Sequence, residues 1–76
     1  MIHELDCVVL TAPVPAERLE SGDVATVIHV YADGKAFEIE FMMLHGHAAA
    51  VATVDASAVR PVTSREITHS RELRAS

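Results

Sequence analysis

The sequence predicts an all-β fold, a small five-stranded barrel with a short helical turn before its last strand. Three observations favour this class. Five short runs rich in β-branched residues are separated by turn residues such as Pro, Gly and Asp. One run alternates strictly between apolar and acidic residues, which is the period of a half-buried strand. With 76 residues and no tryptophan, the chain supports one small domain with a largely aliphatic core.

The first two strands are bounded by proline and glycine. Strand one lies within 6–12 and ends before Pro13, since proline donates no hydrogen bond to a central ladder. A loop follows up to the Gly-Asp pair before strand two, and Leu19 is the apolar residue expected to anchor it on the core. Strand two covers 24–31.

The central hairpin is predicted by Asp33-Gly34, because glycine supplies the positive φ that tight hairpin turns need. Strand three then covers 36–43. Its alternation places Glu38 and Glu40 on a solvated face and four residues on the core face, namely Phe37, Ile39, Phe41 and Met43.

The remainder of the chain contains two further strands and a tail. The run 48–54 is rich in alanine, which favours a helix, but it is short and bounded by turns and therefore reads as strand four. A single helical turn in 55–58 precedes an edge strand over 59–62. We divide the chain into a barrel, 1–62, and a flexible or weakly helical tail, 63–76, in which Thr63 and Glu66 have the spacing of a capping box.

This order of elements resembles an SH3-like barrel. More specifically, the segments LDCVVL (5–10), LESGDVATVIHVY (19–31), FEIEF (37–41), AVATV (50–54) and VRP (59–61) resemble a family of short bacterial proteins known only as a domain of unknown function. The resemblance covers residues 2–62 and departs from the family at Ala25, where glycine is usual. It implies the fold but no activity. More distant similarities are to the C-terminal barrel of nitrile hydratase β-subunits and to KOW-type modules.

Charge and composition argue against several classes of function. Residues 1–62 contain nine acidic and three basic residues, whereas the tail has three arginines and two glutamates. Because phosphate binding draws on lysine and arginine, we expect no nucleic-acid binding. No apolar run approaches the length of a membrane span, so we expect no membrane partner. A single cysteine and the lack of a leader-like start predict a cytoplasmic protein.

No residue pattern predicts catalysis or a cofactor. Cys7 lies in an apolar strand and is expected to be buried and inert. His45 and His47 form only a His-x-His turn, and with His3 or His29 they lack the paired ligand spacing of a structural zinc site. We therefore expect a protein that is not an enzyme and holds no metal.

What remains is a small acidic protein-interaction module, such as an antitoxin-like or immunity-like binder of a partner encoded nearby. The alternative is an accessory subunit or assembly factor of a larger enzyme, as the nitrile hydratase similarity implies, and homo-oligomerisation through an edge strand is a further option. The predicted partner-binding residues are Glu17, Arg18, Tyr31, Glu38, Glu40 and Met42.

Overall fold

A computed structural model describes residues 1–73 and confirms the all-β class. The strands are β1 (Cys7–Leu10), β2 (Val24–Tyr31), β3 (Ala36–Met42), β4 (Ala48–Asp55) and β5 (Val59–Pro61). They form one antiparallel sheet in the order β4-β3-β2-β1-β5, which is the order of an SH3-like barrel. The predicted helical turn before the last strand is the 3-10 turn Ala56–Ala58.

Strand β4 confirms that its alanine-rich run is not a helix. The strand pairs with β3 along its length, from Asp55 opposite Ala36 to Ala48 opposite Met42. Pairing also places Ala52 and Val54 in the core. Tertiary packing therefore overrides the helical propensity of alanine, which amounts to less than about 1 kcal/mol per residue.

The core is formed by residues from all five strands and is aliphatic at its centre. Val8, Leu10, Val27 and Ile39 are the most completely buried large side chains. Leu19 is also buried, which confirms that it anchors the first loop.

The inward positions predicted for β3 are confirmed for Phe37, Ile39 and Phe41 but wrong for Met43. The register with β4 shifts between Phe41 and Met42, and the strand ends at Met42. Met43 therefore begins the following turn, where it is 38% exposed.

Strand β2 contains a bulge that changes which side chains face solvent. The register with β3 shifts between Val27 and His29, so Ile28 has no directly opposite residue. Bulges of this kind insert one extra residue and turn the strand locally. Ile28 and His29 are both exposed as a result, while Val27 is fully buried.

The prediction that Cys7 is buried is wrong, because Cys7 is exposed. It opposes Thr26 at the start of β1, and residues directly opposite each other share one face of a sheet. Thr26 is outside the buried set, whereas its neighbours Ala25 and Val27 are within it. Cys7 thus lies on the outward face, and the apolar run begins to face the core only at Val8.

The hairpin between β2 and β3 has the predicted turn chemistry. Ala32, Asp33 and Gly34 all have positive φ, at 48°, 57° and 93°. Glycine tolerates this region without a steric penalty, and aspartate tolerates it better than most residues. The lysine that follows donates its backbone N–H to Tyr31 and Ala32, which closes the turn.

The two edges of the sheet differ. The β4 edge is eight residues long and contains no lysine, arginine, proline or glycine. The β5 edge is three residues long and contains Arg60 and Pro61. Short strands, proline and charge are the features by which proteins block an edge, so only the β4 edge is unprotected.

Candidate protein-docking surface

The outward side of β2, β3 and β4 presents a continuous surface, which we call the outer face. Strand register fixes its layout: Glu40 lies between Thr26 and Val51, and Glu38 lies between His29 and Thr53. Both glutamates are half-buried, so the solvated face predicted for them is only partly solvated.

Tyr31 is held against the outer face by two contacts. Its hydroxyl donates a hydrogen bond to Glu38 Oε1 at 2.5 Å. The ring of His29 packs edge-on against the Tyr31 ring, with 4.3 Å between centroids. Donation to a carboxylate raises the pKa of Tyr31, because the hydrogen bond favours the protonated phenol. The Tyr31 ring is therefore presented in one orientation.

The opposite end of the outer face is apolar. Val24, Met42 and Val51 are 50%, 49% and 45% exposed. The register brings them together around Glu40, since Val24 and Met42 lie two residues from the Thr26–Glu40 pair and Val51 is opposite Glu40. Leu44, in the turn that follows, is 80% exposed. This apolar end adjoins the unprotected β4 edge.

Glu17 and Arg18 are not on the outer face. They lie in the loop between β1 and β2, where the turn Pro15–Glu17 is closed by a bridge between Val14 and Leu19. Both side chains are exposed. The predicted binding set therefore divides into an outer-face group, Tyr31, Glu38, Glu40 and Met42, and a loop group. The role of each group in binding stays a prediction.

The same loop receives an arginine from the tail, a contact that sequence reasoning missed. Arg71 donates from Nε to Asp23 Oδ1 at 2.9 Å and from Nη2 to Asp23 Oδ2 at 2.5 Å. Nη2 also lies 3.3 Å from the carbonyl oxygen of Arg18, and Nη1 lies 3.7 Å from Glu20 Oε2. The two residues are 48 positions apart, so no local spacing signals the pairing.

The Asp23 carboxylate is organised for this contact. Desolvation by burial alone would raise the pKa of Asp23, but hydrogen bonds from Arg71 and from the Glu20 backbone N–H, together with the Arg71 charge, outweigh it and lower that pKa. The Glu20 N–H lies 2.7 Å from Asp23 Oδ2. The pKa of Arg71 is raised by the same pair.

A second ion pair ties the start of the tail to β5. Arg60 donates to both carboxylate oxygens of Glu66, at 3.0 and 2.6 Å. Thr63 donates its backbone N–H to the same carboxylate at 2.7 Å, as in the capping box that the sequence suggests. These hydrogen bonds lower the pKa of Glu66 to about 2. Residues 63–73 nevertheless contain no helix, and 74–76 lie outside the described residues.

The residues considered for chemistry do not come together in one site. Cys7 lines an open groove of about 390 Å³ together with Met1, Asp6 and Pro61. The exposed rings of His45 and His47 lie side by side in the β3–β4 turn. Over residues 1–73, His, Cys, Asp and Glu side chains form no group of three with metal-binding geometry. That part of the chain also has no helix long and apolar enough to cross a membrane.

The family comparison agrees with the fold. The profile of DUF4926, described as a domain of unknown function, matches residues 4–61. The chain belongs to the DUF4926 family. The matched region of this DUF4926 protein runs through all five strands to Pro61, and so contains the whole outer face, Glu20 and Asp23, but not Arg71.

Comparisons of this DUF4926 chain with curated proteins and with solved structures found no match. The similarities to nitrile hydratase β-subunits and to KOW-type modules are therefore not shown by the comparisons.

Proposed function

We propose that this DUF4926 protein is a small acidic protein-interaction module that docks on a partner through its outer face. The observation that supports the proposal is the grouping of exposed Val24, Met42 and Val51 around Glu40, at the opposite end of the outer face from a tyrosine that is hydrogen-bonded to Glu38. Exposed apolar side chains that lie together on a surface are typical of protein-binding sites.

The chemistry of the surface indicates what kind of partner fits it. Aromatic residues and methionine are enriched in the buried core of protein interfaces, and Tyr31 and Met42 belong to these residue types. Glu38 and Glu40 place negative charge between them, which favours a partner with a basic surface. An antitoxin-like or immunity-like inhibitor would use such an acidic surface to bind a basic effector encoded nearby.

A pull-down from the native host tests the proposal. Tagged wild-type protein and three folded variants, Tyr31→Ala, Met42→Asp and Glu38→Lys/Glu40→Lys, are compared for capture of the same partner. We expect each variant to weaken binding by more than about 1 kcal/mol, because central aromatic and apolar residues dominate interface energies. We also expect the double charge reversal to slow association, with an effect that shrinks as salt is added.

The matched control is Ile67→Asp. Ile67 is 93% exposed in the tail and lies outside the outer face, so this variant introduces the same charge as Met42→Asp at a distant place. Equal loss of binding in Ile67→Asp and Met42→Asp would indicate a general charge effect and contradict the outer-face proposal. If a partner is captured and none of the three variants weakens it, the outer face is not the docking surface.

The identity of the captured chain decides between the proposal and its alternative. An effector with a basic surface supports the inhibitor role, whereas the catalytic chain of an enzyme supports an accessory subunit or assembly factor. Self-association through the β4 edge is a separate prediction, checked by the concentration dependence of the molar mass of the purified protein.

A further inference from the structure

The loop between β1 and β2 contains a site that binds a guanidinium group. Two oxygens of Asp23 accept the two parallel N–H groups of Arg71, and the Arg18 carbonyl and the Glu20 carboxylate lie on either side. Fork-to-fork pairing of this kind is specific to arginine, since a lysine ammonium offers no planar pair of donors. The Asp23 side chain is only 18% exposed, which shields the contact from water.

A contact with the apolar core accompanies the ion pair. Leu73 is half-buried and packs against the core cluster, two residues after Arg71. Residues 63–70 are all exposed. The tail is therefore held to the barrel at the Arg60–Glu66 pair and again at Arg71 and Leu73, with an exposed connection between them.

The acceptor residues lie within the region that matches the family, whereas Arg71, which donates to them, lies outside it. Glu20 and Asp23 lie within the DUF4926 match, which ends at residue 61. The Asp23 carboxylate is also held from within the loop, because the Glu20 backbone N–H lies 2.7 Å from Asp23 Oδ2. The tail thus behaves as a ligand attached to the domain by a linker.

We propose that the Glu20–Asp23 loop is an arginine-binding site for the partner protein, and that Arg71 fills it in cis until an Arg-x-Leu segment of the partner replaces the tail. This inference rests on the proposed docking function and names the chemistry that the partner presents. The tail competes as a tethered ligand at an effective concentration in the mM range. A partner segment therefore has to bind the loop tightly enough to displace Arg71 at that effective concentration.

A peptide with the tail sequence tests the site without the native partner. The probe is the capped peptide Ile-Thr-His-Ser-Arg-Glu-Leu, which copies residues 67–73, titrated into the isotope-labelled full chain. The readout is the backbone amide shift of residues 18–23. We expect the Arg71→Ala variant to bind the peptide at least about threefold more tightly than wild type, since the competing ligand is removed.

Three controls make the result specific. A peptide with alanine in place of arginine should not shift the loop amides. Asp23→Asn in the Arg71→Ala chain should abolish peptide binding, because the amide keeps an oxygen acceptor for Glu20 N–H but loses the charge and one acceptor. Asp33→Asn in the same chain removes an equal charge at the distant hairpin and should leave binding unchanged.

Several results would overturn the inference. The first is that the peptide causes no shift of the loop amides in Arg71→Ala. The second is that the arginine and alanine peptides cause equal shifts, and the third is that peptide binding survives Asp23→Asn. If Asp23→Asn disturbs the loop fold, Glu20→Gln replaces it as a milder change. A negative peptide result leaves the outer-face pull-down unaffected, so failure of this inference is distinguishable from failure of the proposed docking function.

Discussion

One isoleucine faces the core and another faces solvent, and truncating each of them gives a quantitative test of the fold. Ile39 is fully buried at the centre of β3, opposite Val27 and Ala52. Changing it to alanine removes three carbons, worth about 0.8 kcal/mol each in transfer free energy. The cavity adds to this cost, since Ala52 is too short to fill it, so we expect about 3–4 kcal/mol in all.

The matched variant is Ile28→Ala, which removes the same atoms from the bulge residue of β2. Ile28 is 37% exposed, and we expect its truncation to lower the free energy of unfolding by less than about 1 kcal/mol. A domain of this size has a total stability of roughly 4–11 kcal/mol, so Ile39→Ala removes a large part of it.

Urea and thermal unfolding, followed by far-UV circular dichroism, measure both losses. The Ile39→Ala loss corresponds to a fall in Tm of roughly 12–30 °C, at about 4–8 °C per kcal/mol. Equal destabilisation by the two truncations would refute the bulge and the inward direction assigned to β3.

Three further outcomes follow from the structure. In an NMR titration the Glu66 carboxyl should show a pKa of about 2, and this pKa should return toward 4.5 in Arg60→Ala. Because the pKa is lowered in the folded protein, the stabilisation from this pair is fully present above pH 4.5 and is lost as the pH falls toward 2. A wild-type pKa near 4.5 would show that the pair is absent. Cys7 should react with a thiol reagent in the folded protein, and reaction only after denaturant is added would contradict its exposure. Gly34→Ala should lower the free energy of unfolding by about 1 kcal/mol, and Ala32→Gly should raise it by a similar amount, since both positions have positive φ. Urea unfolding of both variants measures the two changes, and changes of the same sign would contradict the turn conformation.

The succession of strands along the chain and the inward face of β3 were predictable from the sequence because they depend on local periodicity and on turn residues, whereas the pairing of β1 with β5 is a long-range contact. The alternation of β3 and the Asp33-Gly34 turn carry that information within a few residues. The errors at Met43 and Cys7 arise at strand ends, where a bulge or the first residue of a pairing decides the direction of a side chain. A period of two cannot locate such shifts.

The candidate site was less predictable for a different reason. The sequence predicts both Tyr31 and Glu38 as binding residues, and their hydrogen bond follows from the hairpin register. The pairing of Asp23 with Arg71 depends instead on how the tail returns to the first loop. A charge count shows an acidic barrel and a tail with a small positive balance, but it does not say which residues meet.

The unequal edges of the sheet limit how far the protein can grow by strand addition. Any added strand has to join at β4, because the short β5 edge carries Pro61 and an arginine engaged by Glu66. Pairing of β4 with β4 of a second copy consumes the open edge of both chains. Such an assembly closes at two copies with a continuous ten-stranded sheet, and within residues 1–73 the two outer edges of that sheet are the short β5 strands, which are poor templates for further pairing.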